Sequence, residues 1–139
     1  MVHGIRNAAS RVARFILSLR YRVRVVGLDA IAARKGVLVL PNHPGYTDPA
    51  LVLSHLWPAF APRPMLLASM FENPLLFWMP RALGALRIPD LGQHSTEARR
   101  QTEQSIEAIA EGLRRGENFI LWPAGRVQRE GREVLGSTR

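Results

Sequence analysis

The chain contains no cysteine. Disulfides, thiolate metal sites and a cysteine nucleophile are thereby excluded. Lysine is almost absent too: of 19 basic residues 18 are arginine, and Lys35 is the exception. No apolar run reaches the length of about 18 residues that a membrane-spanning helix needs. The most apolar stretch, 65–88, is broken by Glu72, Asn73, Pro74, Pro80 and Arg81. Residues 12–19 are apolar but carry Arg14, and no small-residue cleavage site follows, so a signal peptide is not expected. The phosphate-binding Gly-x-x-x-x-Gly-Lys loop, the dinucleotide Gly-x-Gly-x-x-Gly turn and the Gly-x-Ser-x-Gly elbow of serine hydrolases are all missing. His43, His55 and His94 lack a zinc-binding spacing, so no metal is expected.

What is present fits one folded domain. The chain has 139 residues, and 47% of them are hydrophobic, enough for a packed core. The formal net charge is +8. A basic balance calls for an anionic partner: nucleic acid, a phospholipid surface, or a phosphorylated substrate or carrier. Guanidinium groups offer a planar fork of donors that matches phosphate and carboxylate. The arginines are interleaved with apolar residues, not clustered with aromatics, and no nucleic-acid-binding motif is visible, so nucleic acid is not expected.

Residues 5–19 have the pattern of an amphipathic helix. At about 100° per residue Ile5, Ala9, Val12, Ile16 and Leu19 share one face. Arg6, Arg11 and Arg14 fall outside it, and Leu17 is the misfit. Such a helix either packs on its own domain or lies in a membrane interface with its arginines at anionic headgroups. Residues 21–26 alternate in the manner of a strand. Residues 37–40 form an apolar run without alternation, the pattern of a strand buried on both faces. Helices are expected over 49–56, 74–83 and 96–115, with Pro74 in a first turn, Gly116 as a C′ residue and an Glu111–Arg115 pair. Further strands are expected over 65–68, 85–88 and 118–122. This alternation predicts an α/β fold with a mostly parallel sheet and flanking helices.

The informative stretch is Pro41-Asn42-His43-Pro44-Gly45-Tyr46-Thr47-Asp48-Pro49, between a strand and a helix. Sites in open α/β sheets form beyond the carboxyl ends of strands. On a continuous helix His43 and Asp48 would point about 140° apart. Pro44 disfavours a helical His43, and Gly45 permits unusual backbone angles, so a turn can fold Asp48 back towards His43. Asp48 with Pro49 also reads as an N-cap followed by N1. A carboxylate against one imidazole nitrogen fixes the tautomer and favours the imidazolium. With no internal serine elbow, such a dyad points to a substrate hydroxyl as nucleophile, deprotonated by His43 as it attacks a carbonyl.

Asn42-His43-Pro44-Gly45-Tyr46-Thr47-Asp48 resembles the Asn-His-x-x-x-x-Asp motif of the glycerolipid acyltransferase family, which includes lysophosphatidic acid acyltransferases. Residues 83–90 and 120–126 take the places of that family's second and third blocks. The resemblance runs from about residue 20 to the end. It implies transfer of an acyl group from acyl-CoA or acyl carrier protein to a lysophospholipid or glycerol phosphate, with no other cofactor. His43 would be the general base and Asp48 its orienting carboxylate. Asn42, Arg87, Pro123, Gly125 and Arg126 would belong to the substrate-binding surface, with backbone N–H groups near Gly125 serving the oxyanion.

There are departures from the family pattern. Asp90 stands at the place of its second-block arginine, Ala124 at that of its third-block glutamate, and Val127 at that of its third-block arginine. Trp122-Pro123-Ala124-Gly125-Arg126 looks like the variant fused to an AMP-forming acyl ligase. No fourth block is visible. The expected organisation is a basic amphipathic helix over 1–20 and an acyltransferase domain over 21–139, C-terminally incomplete. The expected location is peripheral, on the cytoplasmic side of an anionic membrane. The alternative is a non-catalytic membrane or lipid-binding module derived from the same fold.

Overall fold

The computed structural model describes residues 2–75, 77–90 and 96–124. Five α-helices are present among them: α1 (Val2–Ser18), α2 (Asp48–Phe60), α3 (Ala68–Glu72), α4 (Trp78–Leu83) and α5 (Thr96–Arg114), with a short 3-10 turn at Leu28–Ala30. Four strands accompany them: β1 (Leu38–Val39), β2 (Arg63–Leu67), β3 (Leu86–Ile88) and β4 (Phe119–Ile120). The strands form one parallel sheet in the order β1-β4-β2-β3. The expected α/β class with a parallel sheet is borne out. None of the described helices is long and apolar enough to cross a membrane.

The chain divides into two compact units. The first comprises Met1–Arg34, Asn42–Pro62 and Pro123–Arg139; the second comprises Lys35–Pro41 and Arg63–Trp122.

The second unit holds the sheet. β4 lies between β1 and β2, and its Phe119 and Ile120 are the most deeply buried large side chains, at 1% and 0% exposure. Burial on this scale contributes roughly 1.5–3 kcal/mol per side chain. Two glycines let α5 and its loop approach this core. A Cβ on Gly112 would stand 2.6 Å from the Phe119 ring, and one on Gly36 only 2.5 Å from the Leu113 carbonyl oxygen. Gly36 also has φ +68°, a left-handed conformation that disfavours a side chain. Asn118 ties β1 to β4 by accepting the Val37 N–H at 3.0 Å. Gly116 ends α5 with φ +84°, and Arg115 pairs with Glu111 at 3.5 Å, both as expected. Ile106 repeats with Ile109, Ala110 and Leu113 at helical spacing, yet it is 60% exposed.

In the first unit α1 packs against α2, but not by its apolar stripe. Ser10 is buried, the Arg6 guanidinium stands 5.8 Å above the Trp57 ring, and Ala13 and Leu17 are half-buried. These four positions share one helical face. Val12, Ile16 and Leu19 are 58%, 58% and 76% exposed. Leu17, the misfit of the apolar stripe, belongs to the face that is actually covered. Small residues on that face allow close approach, and the Trp57 ring offsets part of the cost of burying Arg6.

Two expected elements differ. Residues 21–26 are not a strand. They alternate, but no described strand pairs with them, and Val23, Val25 and Val26 stand in solvent. A strand is a property of its neighbour's hydrogen bonds as much as of its own residues. The helix expected from Pro74 begins instead at Trp78. Asn73 accepts the Leu75 N–H through its side chain at 2.9 Å, and this local turn replaces the helix start.

Candidate active site

The loop between β1 and α2 carries the residues singled out in the sequence. Asp48 N–H donates to the Gly45 carbonyl at 3.2 Å, so residues 45–48 close a tight turn. Inside that turn the Asp48 carboxylate folds back. Its Oδ2 accepts the Gly45 N–H at 2.5 Å and stands 3.4 Å from His43 Nδ1. The two side chains are 16% and 17% exposed, sheltered but reachable. The expected contact across five residues is therefore formed. At 3.4 Å it is long for a hydrogen bond, as contacts of this kind often are without substrate.

The local chemistry differs from expectation in two respects. Asp48 is not the N-cap of α2. Thr47 holds that position with no side-chain cap bond, and Asp48 is the first helical residue, with Pro49 behind it in the first turn. The carboxylate serves the Gly45 N–H and His43 and not the helix's own N–H groups. Its negative charge still lies at the positive end of the α2 dipole, where it is favoured. Gly45 does not adopt a positive φ, and a Cβ there would meet Asp48 Oδ1 at an ordinary 3.7 Å. Its value to the turn is the N–H it gives to Asp48.

The other expected site residues are more scattered. Asn42 and Pro123 belong to the first unit and are exposed. Ala124, at the place of the family glutamate, is buried at 5% exposure. Arg87 lies on β3 in the second unit, where its guanidinium binds the Glu72 carboxylate and stands 6.0 Å from the Phe71 ring centre. Asp90, at the place of the family's second-block arginine, accepts the Ser69 hydroxyl at 2.7 Å and the Ser69 N–H. Gly125, Arg126 and Val127 lie outside the described residues. Among the described residues no three His, Asp or Glu side chains come together in a metal-binding cluster.

Two first-unit residues were not assigned to the site by motif reasoning. The Tyr21 hydroxyl is 3.5 Å from Thr47 Oγ1, beside Asp48. His55 follows Asp48 by seven residues on α2, which returns it to the same helical face two turns on. That spacing was a readable signal.

Comparison with known proteins gives one match. A family model described as "Acyltransferase" matches residues 22–137, most of the chain. No curated protein and no solved structure matches it significantly. The match spans the Asn42–Asp48 loop, the parallel sheet and the third-block segment, and so agrees with the resemblance drawn from that loop. The chain belongs to the acyltransferase family.

Proposed function

We propose that the protein moves a fatty acyl group from acyl-CoA or acyl carrier protein to the hydroxyl of a lysophospholipid or glycerol phosphate. The observation that carries this reading is the Asp48 carboxylate held against His43 Nδ1 in a chain of the acyltransferase family. Asp48 fixes the tautomer in which Nε2 accepts the proton, and it stabilises the imidazolium that results. The acceptor oxygen attacks the thioester carbonyl carbon as His43 takes its proton. The tetrahedral intermediate then collapses, the carbon–sulfur bond breaks, and the thiolate leaves with the proton returned from His43. The products are an ester and a free thiol.

The intermediate's oxyanion needs hydrogen-bond donors, and backbone N–H groups near Gly125 are the candidates. Arg87 and Arg126 are candidates for the acceptor phosphate; Arg87 would have to share its guanidinium between phosphate and Glu72. Asn42 and Pro123 are further candidates for substrate contacts. The reaction would take place at an anionic membrane surface on the cytoplasmic side. The exposed stripe of Val12, Ile16 and Leu19, flanked by arginines, supports that placement.

The test is acceptor-dependent thiol release. The full chain, given acyl-CoA with a lysophospholipid or with glycerol phosphate, should release thiol and form the matching ester. His43→Ala should abolish both while leaving the circular dichroism spectrum native. Thiol release that ignores the acceptor, or a His43→Ala variant with wild-type turnover, would contradict the proposal.

A further inference from the structure

The first unit contains a cavity of about 470 Å³ lined by Arg11, Arg14, Phe15, Leu17, Ser18, Tyr21, Val23 and His55. Its volume is in the range of ligand pockets, roughly 300–1,000 Å³. None of the dyad residues lines it.

One wall is the third face of α1. At about 100° per residue Arg11, Arg14 and Ser18 fall within about 60° of each other, beside the face packed on α2. Arg11 and Arg14 are neighbours one turn apart, and like charges so placed repel. Among the described residues neither guanidinium meets a carboxylate: the ion pairs that involve arginine all lie in the second unit. The described first unit holds just two acidic residues, Asp29 and Asp48, and Asp48 serves the loop.

The rest of the lining supplies polar groups of another kind. Tyr21 brings a phenol hydroxyl. His55 Nδ1 lies 2.8 Å from the Leu51 carbonyl oxygen, which makes Nδ1 the protonated nitrogen. Phe15, Leu17 and Val23 complete the lining with apolar surface, and Phe15 and Val23 remain 68% and 44% exposed.

We infer that this cavity binds an anionic amphiphile, with a phosphate monoester held between Arg11 and Arg14 and a single apolar chain along Phe15, Leu17 and Val23. Two uncompensated guanidinium groups match a group carrying about −1.5 to −2 charges at neutral pH, where a carboxylate carries one. The mixed lining selects against both a bare anion and a neutral detergent. The site is independent of acyl transfer at His43 and stands whether or not that reading does.

Octyl phosphate below its micellar concentration is a suitable probe, titrated calorimetrically into the full chain. The expected result is saturable binding that depends on Arg11 and Arg14. Arg11→Gln with Arg14→Gln should weaken binding at least tenfold, and Arg22→Gln with Arg24→Gln less than threefold at equal charge loss. His43→Ala should bind as wild type, which separates this site from the dyad. Inorganic phosphate should compete weakly, and octyl glucoside and octanoate should bind at least tenfold less well than octyl phosphate. Equal losses from the two arginine pairs would mean diffuse electrostatic attraction and overturn the site. Inorganic phosphate as tight as octyl phosphate would overturn the amphiphile, and octanoate or octyl glucoside as tight would overturn the phosphate. Matching dichroism spectra and melting temperatures for the variants exclude misfolding as the cause of weakened binding.

Discussion

In the second unit arginine is largely a structural residue. Arg63 bonds Glu117 at 2.5 Å and the Gly84 carbonyl at 2.9 Å, while standing 5.5 Å from the Phe119 ring centre. Arg87 binds Glu72, Arg100 binds Glu97, and Arg115 reaches both Glu111 and Glu117. In the first unit the same residue type is handled differently. Arg6, Arg11, Arg14, Arg20, Arg22, Arg24 and Arg34 make no ion pair among the described residues; Arg6 and Arg20 rest on aromatic rings. By sequence the first unit holds 11 basic residues and four acidic ones, seven and two of them among the described residues, against eight and seven in the second unit. Net charge therefore misleads when taken over the whole chain. The excess relevant to an anionic ligand is concentrated in the unit that also carries His43 and Asp48.

This contrast can be broken by substitution. The largest loss of stability is expected in the second unit, where atoms already touch. Gly36→Ala places a Cβ 2.5 Å from a backbone carbonyl at a positive φ, and should cost about 1–3 kcal/mol in urea denaturation. An unchanged midpoint would mean that the α5–β1 junction is looser than described. A smaller loss is expected for Glu117→Gln. Its bond to Arg63, and then that to Arg115, hold the Glu117 carboxyl below its ordinary pKa. A depressed folded-state pKa adds stability above the unfolded value, about 4.3, and that contribution fades as pH falls through the folded value. Because the pair is part-exposed, the variant should lose under about 1 kcal/mol at neutral pH. The difference from wild type should shrink on acidification; a constant difference would point to packing and not charge. The smallest change is expected for Arg11→Gln with Arg14→Gln in the first unit, within about 0.5 kcal/mol of wild type. A larger loss would show that these arginines hold the fold together after all.

The parts legible in the sequence were those set by local rules. An apolar run gave β1, although Leu38 and Leu40 are 39% and 54% exposed and the strand is not buried on both faces as its pattern suggested. Clear periodicity gave α5, and the Pro44-Gly45 interruption made the His43–Asp48 contact reachable. Three features were not legible. The alternation of residues 21–26 could not reveal that no described strand pairs with them. The period of α1 identified an apolar stripe, but which face meets α2 depends on Trp57, far away in sequence. The choice of Asp48 between capping α2 and holding the Gly45 N–H turns on a side-chain direction that both sequence patterns allow.

Whether His43 and Asp48 act as one unit is best tested by a double-mutant cycle on acceptor-dependent thiol release. His43→Ala should lower kcat by about 10²–10⁴-fold, Asp48→Asn by less, and the double variant by no more than His43→Ala alone, because groups that act together are not additive. If the two losses multiply in the double variant, or if His43→Ala keeps wild-type turnover, Asp48 does not work through His43 and the dyad is not the catalytic centre.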